Sequence, residues 1–177
     1  MSVEITNPWT GQVDYRYDYI DAEKVESLLA KSAAAFPAWS VLSLSQRSEY
    51  LLRIASALRA RHSDIADTMS AEMGKLRKEA LGEIEKSASA CEYYAQHAID
   101  YLRDSEIKTE ATRSYVTYEP LGCVFAIMPW NFPIWQVFRF LAPAMMAGNV
   151  AVLKHATNVP RCADAIAASY KPVSCPT

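Results

Sequence analysis

The chain has 177 residues, 51% hydrophobic and 21% charged, enough apolar material for a sizeable core and too much for a disordered chain. Eighteen basic residues against twenty acidic ones leave a formal charge of −2, without the basic excess of a nucleic-acid-binding protein. No apolar run approaches the ~18 residues of a membrane span, and Met1-Ser2-Val3-Glu4 opens with neither the basic nor the apolar segment of a secretory signal.

Residues 1–20, mixed and rich in Tyr and Asp, read as a surface strand or arm. Asp21 is placed to cap a helix with Val25, Leu28, Leu29 and Phe36 on one face, and Pro37 is expected to end it. Ser43 and Gln46 have the spacing of a capping box. The helix after them should bury Tyr50, Leu51, Ile54, Ala55 and Leu58 and turn Arg53, Arg59 and Arg61 outward. Ile65, Met69 and Met73 share a register in a shorter helix that Gly74 can stop. A long amphipathic helix follows from about Lys78 to Leu102, with Ala80, Ile84, Ser87, Cys91, Tyr94, Ala98 and Tyr101 on its inner face. Glu83, Glu85 and Lys86 read as its solvated side, and nothing in the first hundred residues suggests catalysis.

The pattern changes after Arg103. Ser114–Tyr118 is aromatic and β-branched, as in a strand. Cys123–Met128 is a continuous apolar run, as in a strand buried on both faces. Pro129-Trp130-Asn131-Phe132-Pro133 breaks it, a helix runs to about Ala147 with Gly148 as its stop, and Val150–Leu153 forms a second strand. His155–Val159 is a loop, and Pro160 suits the first turn of another helix. Strand, helix and strand within ~30 residues make one βαβ unit of a parallel sheet. Ligands in such sheets sit beyond the carboxyl ends of the strands, which singles out the segments 129–133 and 154–159.

Several residues there have two readings. Asn131 is a turn former, or an amide donor aimed at a developing oxyanion. Arg139 interrupts the run Val137-Phe138-Arg139-Phe140-Leu141 and needs either a structural ion pair or a carboxylate ligand. Phe132, Trp135 and Gln136 share its face, whereas Ile134, Phe138, Leu141 and Met145 form a core stripe. Lys154 is a solvated strand end or a donor to sugar hydroxyls and phosphates, and His155 reads as a surface residue. Cys91 and Cys123 read as packing and Cys175 lies in a polar tail, while Cys162 starts a helix whose dipole favours the thiolate. There is no C-x-x-C and no ligand spacing among the three histidines, so neither a metal site nor a disulfide framework is expected, and a reducing cytoplasmic setting is.

Met128-Pro129-Trp130-Asn131-Phe132-Pro133, Pro143-Ala144-Met145-Met146-Ala147-Gly148-Asn149-Val150 and Val152-Leu153-Lys154 closely resemble the aldehyde dehydrogenase superfamily. Glu119-Pro120-Leu121-Gly122 and Glu72-Met73-Gly74-Lys75 match it as well, and Ile134–Phe140 is most similar to the succinate-semialdehyde dehydrogenase branch. The resemblance implies an α/β fold: an N-terminal helical region, then the start of a Rossmann-like parallel sheet. Residues 1–168 would be the N-terminal part of the NAD(P)-binding domain, with 114–118 similar to an oligomerisation strand of a homo-oligomer, and 169–177 an atypical tail.

By the same resemblance Asn131 is the catalytic oxyanion-hole amide. Met128, Pro129 and Trp130 line the nicotinamide-ribose side, and Lys154 meets the adenosine ribose. Thr157 stands where NAD-preferring relatives carry a glutamate, so NAD or NADP is implied. Arg139, with Phe132 and Trp135, would contact the carboxylate end of a small aldehyde. The family mechanism also needs a nucleophilic cysteine and a general-base glutamate, both expected beyond this region together with the glycine-rich pyrophosphate turn. The five glycines here contain no G-x-G-x-x-G. The chain is therefore expected to be inactive alone, the alternative being a non-catalytic product that docks on full-length partners.

Overall fold

The computed structural model describes residues 2–170. The opening segment is an antiparallel hairpin of β1 (Ser2–Thr6) and β2 (Val13–Asp18). Four helices follow: α1 (Ala22–Ser40), α2 (Leu44–Ala60), α3 (His62–Met73) and α4 (Arg77–Leu102).

Helix α1 starts where expected, with the Asp21 carboxylate accepting the Lys24 N–H at 2.7 Å. It does not stop at Pro37. In the last turn proline forfeits only one intrahelical bond, and the turn is held from outside: the indole of Trp39 donates to the Met145 carbonyl at 3.2 Å and packs edge-on against Tyr50. The stripe Val25, Leu28 and Leu29 is also more exposed than its periodicity suggests. The capping box of α2 is complete, with the Gln46 N–H on Ser43 Oγ at 3.2 Å and the Ser43 N–H on Gln46 Oε1 at 2.9 Å.

Leu51, Ile54 and Leu58 of α2 meet Ile65 and Met69 of α3, Ile84 and Cys91 of α4, and Phe138 in one buried cluster. Tyr101, expected on the inner face of α4, is exposed beside Tyr93 at the end of the helix. Arg59 and Arg61 are not simply outward: Arg59 grips both Glu85 and Glu92 of α4, and Arg61 donates to the Ala165 carbonyl at 3.0 Å.

The strand expected over 114–118 pairs along only two residues, β4 (Tyr115–Val116), antiparallel to β3 (Ser105–Glu106). The βαβ unit is present as β5 (Cys123–Ile127), α5 (Trp135–Met146) and β6 (Val150–Lys154), followed by α6 (Pro160–Tyr170). Strands β5 and β6 are parallel, in register from Cys123 opposite Val150 to Ile127 opposite Lys154. β5 is not buried on both faces: Ala126 is inside, but Phe125 is 60% and Ile127 67% exposed. A continuous apolar run records that a strand is suited to cover, not that an element of the same segment covers it.

Gly148 ends α5 at φ +85°, and an added Cβ would lie 3.0 Å from the Arg47 guanidinium. That buried guanidinium donates to the Met146 carbonyl at 2.8 Å and the Ser40 carbonyl at 2.6 Å, tying the ends of α5 and α1 together.

Candidate active site

The two segments singled out from the sequence leave the sheet side by side. The ladder extends one step past β5, with the Met128 N–H on the Lys154 carbonyl at 3.1 Å. Pro129, Trp130, Asn131 and Phe132 are all exposed there, and Met128 is half-buried. Among the described residues the Asn131 side-chain amide makes no hydrogen bond, so it is not the turn former of the local reading. Its main-chain carbonyl does have a partner, the Lys75 ammonium at 3.2 Å.

Lys75 and Glu83 form a buried ion pair beneath this loop. The ammonium also lies 3.9 Å from the centre of the Phe132 ring. Glu83 Oε1 accepts the N–H groups of Ile134 and Trp135, each at 2.9 Å, and so caps α5. Lys86 covers the Trp135 ring at 4.1 Å. Arg139 is one turn further along α5, exposed, and in none of the ion pairs among the described residues.

On the second loop Lys154 and Thr157 are exposed. Thr157 and Trp130 line one cavity of about 360 Å³ together with Asn158, Met73 and β1. His155 is buried, contrary to the surface reading. Its Nε2 lies 2.8 Å from the Pro133 carbonyl and its Nδ1 accepts the Ala156 N–H at 2.8 Å, which places the proton on Nε2 and joins the two loops. Burial pushes its pKa below the usual 6.5, opposed by the Pro133 carbonyl. With the folded value lower than the unfolded one, this contribution to stability is complete above about pH 6.5 and is lost as the pH falls. Denaturant midpoints from about pH 7.5 to about 5.5 should therefore drop, and His155→Gln should flatten that slope; an unchanged slope would rule the histidine out as its source.

Two cysteine readings change. Cys162 lies in the first turn of α6, but burial, and next the Glu72 carboxylate, push its thiol well above the usual range, against the pull of the dipole. Cys123 is exposed, with Sγ 3.0 Å from Ser32 Oγ, and does not pack in a core. Cys91 is buried as expected, and its thiol is pushed up to about 12. Cys175 lies outside the described residues. Among the described residues no three His, Cys, Asp or Glu side chains gather as a metal site would require, and no helix is long and apolar enough to cross a membrane.

An exposed amide thus stands at one strand end, with an exposed lysine and threonine at the next. The model of the aldehyde dehydrogenase family matches residues 1–177. The chain belongs to the aldehyde dehydrogenase family. A Synechocystis sp. protein named as a probable succinate-semialdehyde dehydrogenase for NADP(+) is 42% identical over 176 residues, covering 99% of this chain and 39% of the relative. The Escherichia coli succinate semialdehyde dehydrogenase Sad, named for NAD(P)+, is 40% identical over 170 residues, 96% of this chain and 37% of its own. The crystal structure of a Streptococcus pyogenes succinic semialdehyde dehydrogenase with NADP+ superposes with a TM-score of 0.87 at 30% identity, covering 94% of this chain and 38% of that one. This aldehyde dehydrogenase chain thus spans about two fifths of the length of the relatives it matches.

Sequence reasoning missed Lys75, Glu83 and Glu72 of this family member. Its neighbours in sequence place Glu83 on the solvated side of α4, yet it lies three residues after Ala80 and four before Ser87, both on the buried face. That register was the available signal. Glu72 and Lys75 stood within a recognised motif, but nothing local showed that both side chains turn inward.

Proposed function

We propose that these residues form the oxyanion donor and the nicotinamide-ribose edge of an NAD(P)-dependent aldehyde dehydrogenase acting on a small semialdehyde, with succinate semialdehyde the substrate suggested by the relatives' names. The observation that carries this reading is the Asn131 amide, exposed and without a hydrogen-bond partner among the described residues, on a loop anchored at the carboxyl edge of β5. Asn131 donates to the aldehyde oxygen as it gains negative charge. Such a donor accelerates reaction because its bond strengthens in the transition state.

The residues present fit a nicotinamide dinucleotide. Lys154 offers an exposed ammonium with no carboxylate partner among the described residues, and Thr157 adds a hydroxyl where a carboxylate would repel a ribose 2′-phosphate. Both NAD and NADP suit that edge. A dinucleotide bound there supplies the hydride acceptor. Met128, Pro129 and Trp130 present main chain and an indole to its nicotinamide-ribose end. Phe132 and Trp135 wall the aldehyde, and Arg139 is the fork for its distal carboxylate.

Among the described residues, Cys91 and Cys162 are buried thiols and Cys123 opens β5 at the opposite end of the strand from Asn131, so none of these three suits the nucleophile. The 177-residue chain is accordingly expected to show no turnover alone, and the exposed β4 strand is assigned to homo-oligomer contacts. A cytoplasmic setting fits the unpaired thiols.

Calorimetric titration with NADP+ tests the cofactor edge. Lys154→Ala should weaken binding by about 10-fold or more, the value of a charge-assisted hydrogen bond. Unchanged affinity would remove Lys154 from the site. Formation of NADPH from succinate semialdehyde by the chain alone would overturn the assignment of the nucleophile elsewhere.

A further inference from the structure

We propose that Lys75 and Glu83 are positioning residues, a single buried clamp that fixes the segment Asn131–Trp135 at both ends and so aims the Asn131 amide. The catalytic consequence rests on the function proposed above; the clamp itself is read from the geometry.

The segment between β5 and α5 is short, exposed at Asn131 and Phe132, and bounded by Pro129 and Pro133. Prolines restrict φ but donate no hydrogen bond, so the loop needs anchors from elsewhere. One end is held by Lys75, through the Asn131 carbonyl at 3.2 Å and the face of Phe132 at 3.9 Å. The other end is held by Glu83, through the N–H groups of Ile134 and Trp135 at 2.9 Å. The two anchors are one unit, because Lys75 and Glu83 are 8% and 4% exposed and paired with each other. Each satisfies the other's charge while its remaining hydrogen-bonding capacity goes to the loop.

The pair also sits on a firm base. Glu83 is in the second turn of α4, which packs against α2, α3 and α5, and Lys75 follows the left-handed Gly74 that ends α3 at φ +70°. The helical layer thus reaches under the sheet edge and fixes the main chain of Asn131, leaving only its amide free to meet a substrate. Positional tolerance for such a donor is a fraction of an ångström to about 1 Å.

The test uses the 177-residue protein, labelled with nitrogen-15. Lys75→Met should lower the backbone order parameter at Asn131 and Phe132 from about 0.85 to below about 0.6, with α2 unchanged. Glu83→Ala should speed amide exchange at Ile134 and Trp135 by about tenfold or more. Glu83→Gln keeps an acceptor oxygen but loses the charge, so it should restore slow exchange at Ile134 and Trp135 while leaving Asn131 as mobile as in Lys75→Met. If Glu83→Ala does not fold, Lys75→Met and Glu83→Gln decide.

Order and exchange equal to the parent in both variants would overturn the clamp. So would a uniform change across α2, α3 and α4, which would mark a purely structural pair, or failure of Glu83→Gln to restore exchange. Loss of loop order alongside absent NADP+ binding by the parent would keep the clamp and reject the functional reading. Intact NADP+ binding with a parent-like loop in Lys75→Met would do the reverse.

Discussion

Asn131→Ala is expected to lower kcat of the proposed semialdehyde reaction by about 10²–10³-fold with little change in KM. The side chain has no partner within the described structure, so its removal breaks no packing and leaves no buried group unsatisfied. The loss should fall on the transition state, where charge builds on the aldehyde oxygen. Asn131→Asp keeps the shape but turns an acceptor and a negative charge toward that oxygen, and should reduce kcat at least as far. Steady-state NADPH formation, in the dehydrogenase that carries these residues, measures both. A kcat within about threefold of the parent would remove Asn131 from the chemistry.

Glu72→Ala is expected to be the most destabilising single change outside the apolar core. Its buried carboxylate accepts the Tyr15 hydroxyl, the Arg161 N–H at 2.8 Å and the Cys162 N–H at 2.9 Å. It therefore caps α6 and binds β2 to α3 in one group. Truncation leaves one buried and two partly buried donors without an acceptor, at a cost of about 3 kcal/mol. For a chain of this length that lowers Tm by roughly 6–12 °C. Glu72→Gln, which keeps one acceptor oxygen, should lose about half as much. Calorimetric melts decide it, and a Tm within about 2 °C of the parent would contradict the cap. A further mark is chemical: without Glu72 the Cys162 thiol loses its second source of upward pressure, burial remaining the first.

Local features were legible. Asp21, the Ser43 and Gln46 box, and Gly74 and Gly148 announce element ends through contacts within a few residues, and each does what its type does elsewhere. The βαβ unit was legible for the same reason, and its strand ends single out the loops 129–133 and 154–159. Residues whose roles depend on distant partners were not legible. Glu83 looks like any helix carboxylate until α5 is packed across α4. Cys162 has a favourable helix position, but whether a carboxylate or water lies beside it is decided by Glu72 of α3, 90 residues earlier. Pro37 obeys its backbone rule and is overridden by the Trp39 anchor on Met145. His155 sits between two loops that only the finished sheet brings together.

The two glutamates have an electrostatic consequence for ligands. Helices that begin at the carboxyl edge of a parallel sheet usually offer free N–H groups and a positive dipole end to anions. Here both starts are taken, α5 by Glu83 and α6 by Glu72. An incoming diphosphate would find the first N–H groups of either helix already engaged by a fixed carboxylate. Neither helix start is therefore open to the pyrophosphate bridge of the dinucleotide proposed above, and the exposed anion-binding group left at this edge is the Lys154 ammonium.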